Sequence, residues 1–318
     1  MSAVDGDVRV VAVVGTGVIG AAWCALFLAR GAVVRAHDPA PGAHERLVVG
    51  LRAAWPALVE LGADAELPLD LLHWSDDIAG AVGDAEFVQE SGPERIDLKQ
   101  ALVAEIDVSA PAGTVIASSS SGLRPTQIQA TCAHHPERVL IGHPFHPAHL
   151  IPLVEVVGGE QTSEQAVADA MTFYASVGKR PVHVRQELDG HLVNRLQAAL
   201  WREAYSLVAR GAATVADVDA AITNGPGLRW AVVGPFAGQH LSGGTGGIAH
   251  NLEHLGPPMV AWWVDLSTPE WTPELTSRVT EQMHDEMGTT TSDELSAARD
   301  RLVLGIIAAK AQETGLTT

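Results

Sequence analysis

The chain has 318 residues, 47% hydrophobic and 18% charged, with a formal net charge of −18 at pH 7. Its length accommodates two domains with a sizeable core, and its acidity argues against nucleic acid and acidic membranes as partners. No run approaches the apolar length of a membrane span, and the opening MSAVDGDVRV has no basic region before a hydrophobic one, so an unexported, cytoplasmic protein is expected. The two cysteines, Cys24 and Cys132, are far apart and fit no metal-ligand spacing, which points to reduced thiols.

Val8 to Val14 is a continuous β-branched run, as expected of a strand buried on both faces. It leads into Gly15-Thr16-Gly17-Val18-Ile19-Gly20 and a helical stretch closed by Gly31. Glycines at these positions permit a tight turn, close approach of a pyrophosphate and close helix–strand packing, and the helix N-terminus faces the anion. A second strand, VVRAHD, ends in Asp38 at roughly the 20-residue separation where a carboxylate takes ribose hydroxyls and repels a 2′-phosphate. The cofactor expected is NAD rather than NADP. The alternative is a glycine-rich turn in another α/β protein.

Residues 41–83 read as a helical arm interrupted at Pro56 and around Pro68. Strands follow at EFVQES, ending near Glu90, and at GTVIAS, reaching Ser118. Glu94 and Lys99 lie beyond the first of these, on the side where open parallel sheets bind ligands, or else form a solvated ion pair at a helix start. Ser118 to Ser121 bring hydroxyls to the same edge, unless they only make a turn. His143 ends the neighbouring run VLIGH, and the prolines of His143-Pro144-Phe145-His146-Pro147 stiffen the segment it opens. Glu155 closes LIPLVE, where a buried carboxylate needs a partner. His143 is the natural one: an imidazole base needs a carboxylate to fix its tautomer and stabilise its charge. A purely structural His–Glu pair is the alternative. No nucleophile elbow, HExxH or CxxC motif is present, which weighs against hydrolysis and metal catalysis.

After PVHVR the β-character ends and a helix is expected from about Leu188, with Leu192, Leu196, Leu200, Leu207 and Val208 on one face. Asn194, Trp201 and Tyr205 share an adjacent stripe, from which Asn194 can donate to a substrate oxygen. Thr214 and Asp217 resemble a capping box. His240 to Pro273, rich in Gly, His, Pro and Trp, reads as loop-dominated, and a last helix as Ser292 to Gln312. The fold class expected is α/β: a Rossmann-type doubly wound sheet over 1–187, then a smaller all-α domain over 188–318.

GTGVIG, Asp38, ESGPERIDLK, SSSSGL, GHPFHP with PLVEVV, and VNRL, in this order, resemble the 3-hydroxyacyl-CoA dehydrogenase superfamily along almost the whole chain. The resemblance implies NAD-dependent oxidation of a 3-hydroxyl group, with His143 as base, Glu155 as its partner, and Ser121 and Asn194 on the reacting oxygen. It implies Glu94 and Lys99 on the nicotinamide side and a homodimer formed through the helical domain. HDPAPGA, AAWPAL, HPFHPAHLIPLVEVVGGEQT and GLRWAVVGPF are similar to the carnitine-oxidising branch, while a gulonate-oxidising branch shares the GLRW-like and GPF-like segments. The family's asparagine after HPF is His146 here, which sets the substrate pocket apart. Residues 41–83 carry Arg46 and Arg52 but no lysine, a poor match to the phosphates of coenzyme A, so a small free acid is expected. A trimethylammonium group would be met by aromatic faces: Trp201, Trp230 and Phe236 are the candidates, with Trp262 and Trp263, unless these are core or interface residues. Two rival readings are a non-catalytic NAD-binding protein, disfavoured by the intact His143, Glu155, Ser121 and Asn194 set, and a lysine-dependent hydroxyacid dehydrogenase, disfavoured because no lysine lies near Asn194.

Overall fold

The computed structural model describes residues 9–313 and 315; of the expected first strand, Val8 lies outside them. The chain divides into two compact units, one up to Arg195 and one from Leu196.

In the first unit the β-branched run forms β1 (Val10–Val14), and the glycine-rich turn leads to α1 (Val18–Leu28). Next come β2 (Val33–His37), α2 (Ala43–Glu60), β3 (Leu72–Trp74), α3 (Ile78–Val82), β4 (Phe87–Glu90), α4 (Ile96–Ser109), β5 (Val115–Ser118) and α5 (Pro125–Gln129). β6 (Val139–Pro144), β7 (Leu153–Gly158), α6 (Glu164–Ser176) and β8 (Arg180–Val184) complete the sheet. Its eight strands run β3-β2-β1-β4-β5-β6-β7-β8. All neighbours are parallel except β6 and β7. The order reverses between β1 and β4, the switch point where such sheets open a crevice at the strands' carboxyl ends.

Each sheet face buries its own apolar layer. Trp23, Phe27, Leu47, Leu51, Phe173 and Tyr174 from α1, α2 and α6 cover one face. Ile78, Val82, Val103, Ile106 and Ile128 from α3, α4 and α5 cover the other. Tyr174 packs so closely on β6 that a Cβ at Gly142 would lie 1.8 Å from its hydroxyl oxygen. Gly142→Ala should therefore cost about 1–3 kcal/mol of stability, read from the shift in a denaturant midpoint.

Two expectations need correction in this unit. Residues 41–83 are interrupted around Pro68, as expected, but not at Pro56. α2 runs unbroken through Pro56, since Leu47, Leu51, Trp55 and Leu58 bury one continuous helical stripe. After it the chain adds the short edge strand β3, whose three residues carry too little periodicity to be read. The helix expected from Leu188 starts at Val193, because Gly190 (φ +73°) and His191 (φ +50°) adopt left-handed conformations that a helix cannot continue.

The second unit takes up all but the start of α7 (Val193–Ala209), then α8 (Val215–Asn224), α9 (Pro226–Trp230), α10 (Pro235–Ser242), α11 (Gly247–Asp265), α12 (Pro273–Met287) and α13 (Ser292–Gln312). Thr214 and Asp217 form the capping box of α8. The His240–Pro273 segment is not loop-dominated: α11 fills most of it and continues through Pro257 and Pro258. Proline's fixed φ is compatible with a helix; what it removes is the N–H donor. No helix among the described residues is long and apolar enough to cross a membrane.

Candidate active site

The antiparallel register of β6 and β7 sets His143 directly opposite Glu155. His143 Nδ1 and Glu155 Oε2 are 2.8 Å apart, with the imidazole 5% exposed and the glutamate 0%. Glu155 Oε1 accepts from the backbone N–H groups of Leu192 and Val193, each at 2.9 Å. Burial pushes the Glu155 carboxyl up, but His143 and these two N–H groups outweigh it and hold Glu155 below the ordinary carboxylate range. An ionised carboxylate only accepts, so Nδ1 carries the proton and Nε2 is left as the basic atom.

A turn of serines lies beside this pair. β5 delivers Ser118 in register with Glu90 on β4, and the next residues fold around Glu94. Its Oε1 accepts from Ser120 Oγ (2.7 Å), Ser121 N (2.9 Å) and Gly122 N (3.0 Å). Burial raises the Glu94 pKa, but the Ser120 hydroxyl, Lys99 and the two N–H groups together bring it below its usual value. The start of α7 ties turn and acid together. Asn194 Nδ2 donates to Ser121 O (2.9 Å), and His191 Nε2 lies 3.1 Å from Ser120 O. The two residues between them supply the N–H groups on Glu155. The His191 ring is fully buried, 5.4 Å from that of His143. Burial lowers its pKa, partly offset by Ser120, and keeps the ring neutral.

His143, Glu155, Ser121 and Asn194 are thus brought together. Glu94 shapes the turn. Lys99, expected on the nicotinamide side, is 1% exposed, and Nζ donates to both Glu90 oxygens at 3.0 Å and to Gly92 O at 3.1 Å. Those bonds use all three N–H donors of an ammonium, so Lys99 acts as the counter-ion beneath the turn. His146 is exposed. Trp201, Trp230 and Phe236 lie in the second unit on α7, α9 and α10, all exposed, with no ring contact among them. Sequence reasoning missed Glu90 and His191. Glu90 is an acid inside the apolar strand FVQE, the signal that singled out Glu155; His191 has no comparable signature.

The glycine turn fits a dinucleotide. Gly15 has φ +91°, and a Cβ there would lie 2.6 Å from the carbonyl carbon of Ser91. A Cβ at Gly20 would lie 1.9 Å from Gly15 O, so Gly20 is what lets α1 close on the turn. Gly17 differs, since a Cβ would meet nothing within 4 Å: open space at the N-cap of α1, where no side chain caps the helix and no acid occupies the first turn. Free N–H groups there suit a pyrophosphate. Val18 is exposed beside it and Ile19 packs into the core. Asp38, at the end of β2, accepts from Thr16 N (2.8 Å) and Ala40 N (2.9 Å), which fixes its carboxylate at the rim of the turn.

Family models agree with this arrangement. The 3-hydroxyacyl-CoA dehydrogenase NAD-binding domain matches residues 10–188, and the C-terminal domain of the same family matches 190–269. An L-carnitine dehydrogenase of Streptomyces griseus is 50% identical over 303 residues, covering 95% of this chain and 90% of that protein. A 3-hydroxyacyl-CoA dehydrogenase of Gibberella moniliformis is 42% identical over 316 residues, 98% of each chain. Among solved structures, the NAD+-dependent 5-formyl-3-hydroxy-2-methylpyridine 4-carboxylic acid 5-dehydrogenase superposes with a TM-score of 0.82 at 32% identity, covering 96% of this chain and 99% of that one. The chain belongs to the 3-hydroxyacyl-CoA dehydrogenase family and is an NAD-dependent oxidoreductase.

Proposed function

We propose that the protein oxidises the C3 hydroxyl of L-carnitine to the 3-ketone, with His143 as the general base. The observation that carries the reading is the buried 2.8 Å pairing of His143 with Glu155, in a chain 50% identical to a carnitine dehydrogenase.

His143 Nε2 takes the hydroxyl proton, and Glu155, held by two backbone N–H groups, stabilises the imidazolium as it forms. The Ser121 hydroxyl and the Asn194 amide hold the substrate oxygen, Asn194 with the N–H that its bond to Ser121 O leaves free. The turn from Gly15 to Gly20 would hold a pyrophosphate, with the open space at Gly17 beside Val18 as its place and Gly15, Ile19 and Gly20 shaping the turn, and Asp38 would take the ribose; Glu94 orders the serine turn. NAD+, when bound, supplies the hydride acceptor. The substrate's trimethylammonium group calls for an aromatic surround, worth roughly 0.5–2 kcal/mol per good contact. Residues from 188 onward serve as the substrate and dimer domain of a cytoplasmic homodimer, a reading supported by exposed Trp262, Trp263 and Val264 on α11 and Leu302 on α13.

NADH formation with L-carnitine, D-carnitine, L-gulonate and 3-hydroxybutyryl-CoA tests the reading. Turnover with L-carnitine at least about 100-fold above the others, a difference of about 2.7 kcal/mol, is expected. Preference for the coenzyme A thioester would replace it with the activity named for the Gibberella relative.

A further inference from the structure

Lys179 takes no part in the chemistry above, yet it is buried, 4% exposed, just ahead of β8. Its Nζ donates to Ile151 O at 2.7 Å and also to Ala148 O. Both carbonyls belong to the turn between β6, which carries His143, and β7, which carries Glu155. The turn closes on itself through Leu150 N and Ile151 N, both bonded to Pro147 O, and it begins beside His146. Nζ also lies 5.1 Å from the Trp23 ring centroid, and Trp23 Nε1 donates to Ser119 Oγ. One ammonium thus joins the turn linking base and acid to α1, the helix at the end of the glycine turn.

The ionisable groups on the surrounding elements are Arg30 in the turn after α1, Tyr174 on α6, Arg180 next in the chain, and His149 on the turn. Arg30 is the charge that acts on Lys179, and it repels. No carboxylate is paired with Lys179 among the described residues. A buried cation without a counter-ion is costly; a lysine whose only task was to fill this space would be replaced without loss by methionine.

We propose that Lys179 is a positioning residue that clamps the 147–151 turn, and that gain or loss of its proton changes how firmly the substrate side of the site is held. Charged, it offers three N–H donors and charge-assisted bonds, roughly twice as strong as neutral ones; neutral, it keeps two ordinary donors. Burial first, and Arg30 second, bring its pKa down from 10.5 to about 7, so the exchange falls in the working range. Below about 7 the folded and unfolded chains both hold the proton. Between there and about 10.4 only the unfolded chain holds it, so the cost of burial is progressively relieved and stability rises with pH.

The inference rests on the proposed His143 chemistry, and the test separates the two. In Lys179→Met, KM for L-carnitine should rise about 10-fold or more as two buried carbonyls lose their donor, while the dissociation constant for NAD+ stays within about 2-fold. The wild-type KM should change with pH around an inflection near 7 that the variant lacks, and the variant should lose the rise in melting temperature above it. A variant with unchanged KM and pH profile, even if it melts earlier, makes Lys179 purely structural and overturns the clamp. Turnover retained in His143→Ala would overturn the reading beneath it, and the clamp with it. If Lys179→Met does not fold, the intact protein decides, because it has only Lys99, Lys179 and Lys310. A lysine 13Cε resonance titrating near 7 and moved by saturating substrate supports the clamp. All three titrating at the ordinary lysine value of about 10.4 overturns it.

Discussion

His143→Ala lowers turnover by about 10³-fold while NAD+ affinity stays within about 2-fold. The effect is large because, in the proposed reaction, the imidazole takes the hydroxyl proton and its surroundings stabilise the charge it then carries. Glu155 is fully buried, and His143 and two backbone N–H groups keep it ionised. Glu155→Gln, which keeps the shape and removes the charge, should cost about 10²-fold in kcat, since the neutral amide no longer stabilises an imidazolium. NAD+ affinity is spared in both variants because the glycine turn belongs to β1 and α1. Steady-state kinetics with NAD+ titrated by NADH-competitive fluorescence reads both quantities. A His143→Ala enzyme turning over within about 10-fold of wild type would remove the imidazole from the reaction.

Gly17→Val abolishes measurable NAD+ binding, a loss of at least about 100-fold or 2.7 kcal/mol, and leaves the apo fold within about 1 kcal/mol of wild type. The structure separates Gly17 from its neighbours. Its Cβ would enter open space, at an ordinary φ of −62°. A Cβ at Gly15 would collide with the Ser91 backbone, at φ +91°. Gly17→Val therefore fills the place of the pyrophosphate without disturbing the protein, whereas Gly15→Ala should lower the melting temperature itself. Calorimetric titration with NAD+ beside thermal melts of both variants checks the contrast. Equal losses of stability would mean that both glycines serve only the turn.

Much of this was legible in the residues. β1 announced itself because a strand buried on both faces needs an unbroken apolar run, and the glycine turn came directly after it. The pairing of His143 with Glu155 could be anticipated because an acid among valines needs a partner. α13 lies at the expected Ser292–Gln312, marked by its apolar spacing. The failures have physical causes. β3 is three residues long and takes its place by pairing with β2, a tertiary effect without local signal. α11 was concealed by Gly, His and two prolines, read as breakers although its packing tolerates them. The burial of Lys99 was not legible because it depends on Glu90, a residue nine positions earlier. His191 was invisible for a similar reason: its left-handed backbone and its bond to Ser120 exist only once the serine turn is in place.

The most direct test of the central claim uses L-carnitine carrying deuterium at C3, with the mass of the NADH formed as the readout. Deuterium recovered in NADH, with slower turnover than for the unlabelled substrate and none in His143→Ala, is the expected result. NADH without deuterium, or no NADH from L-carnitine by an enzyme that binds NAD+, would contradict it.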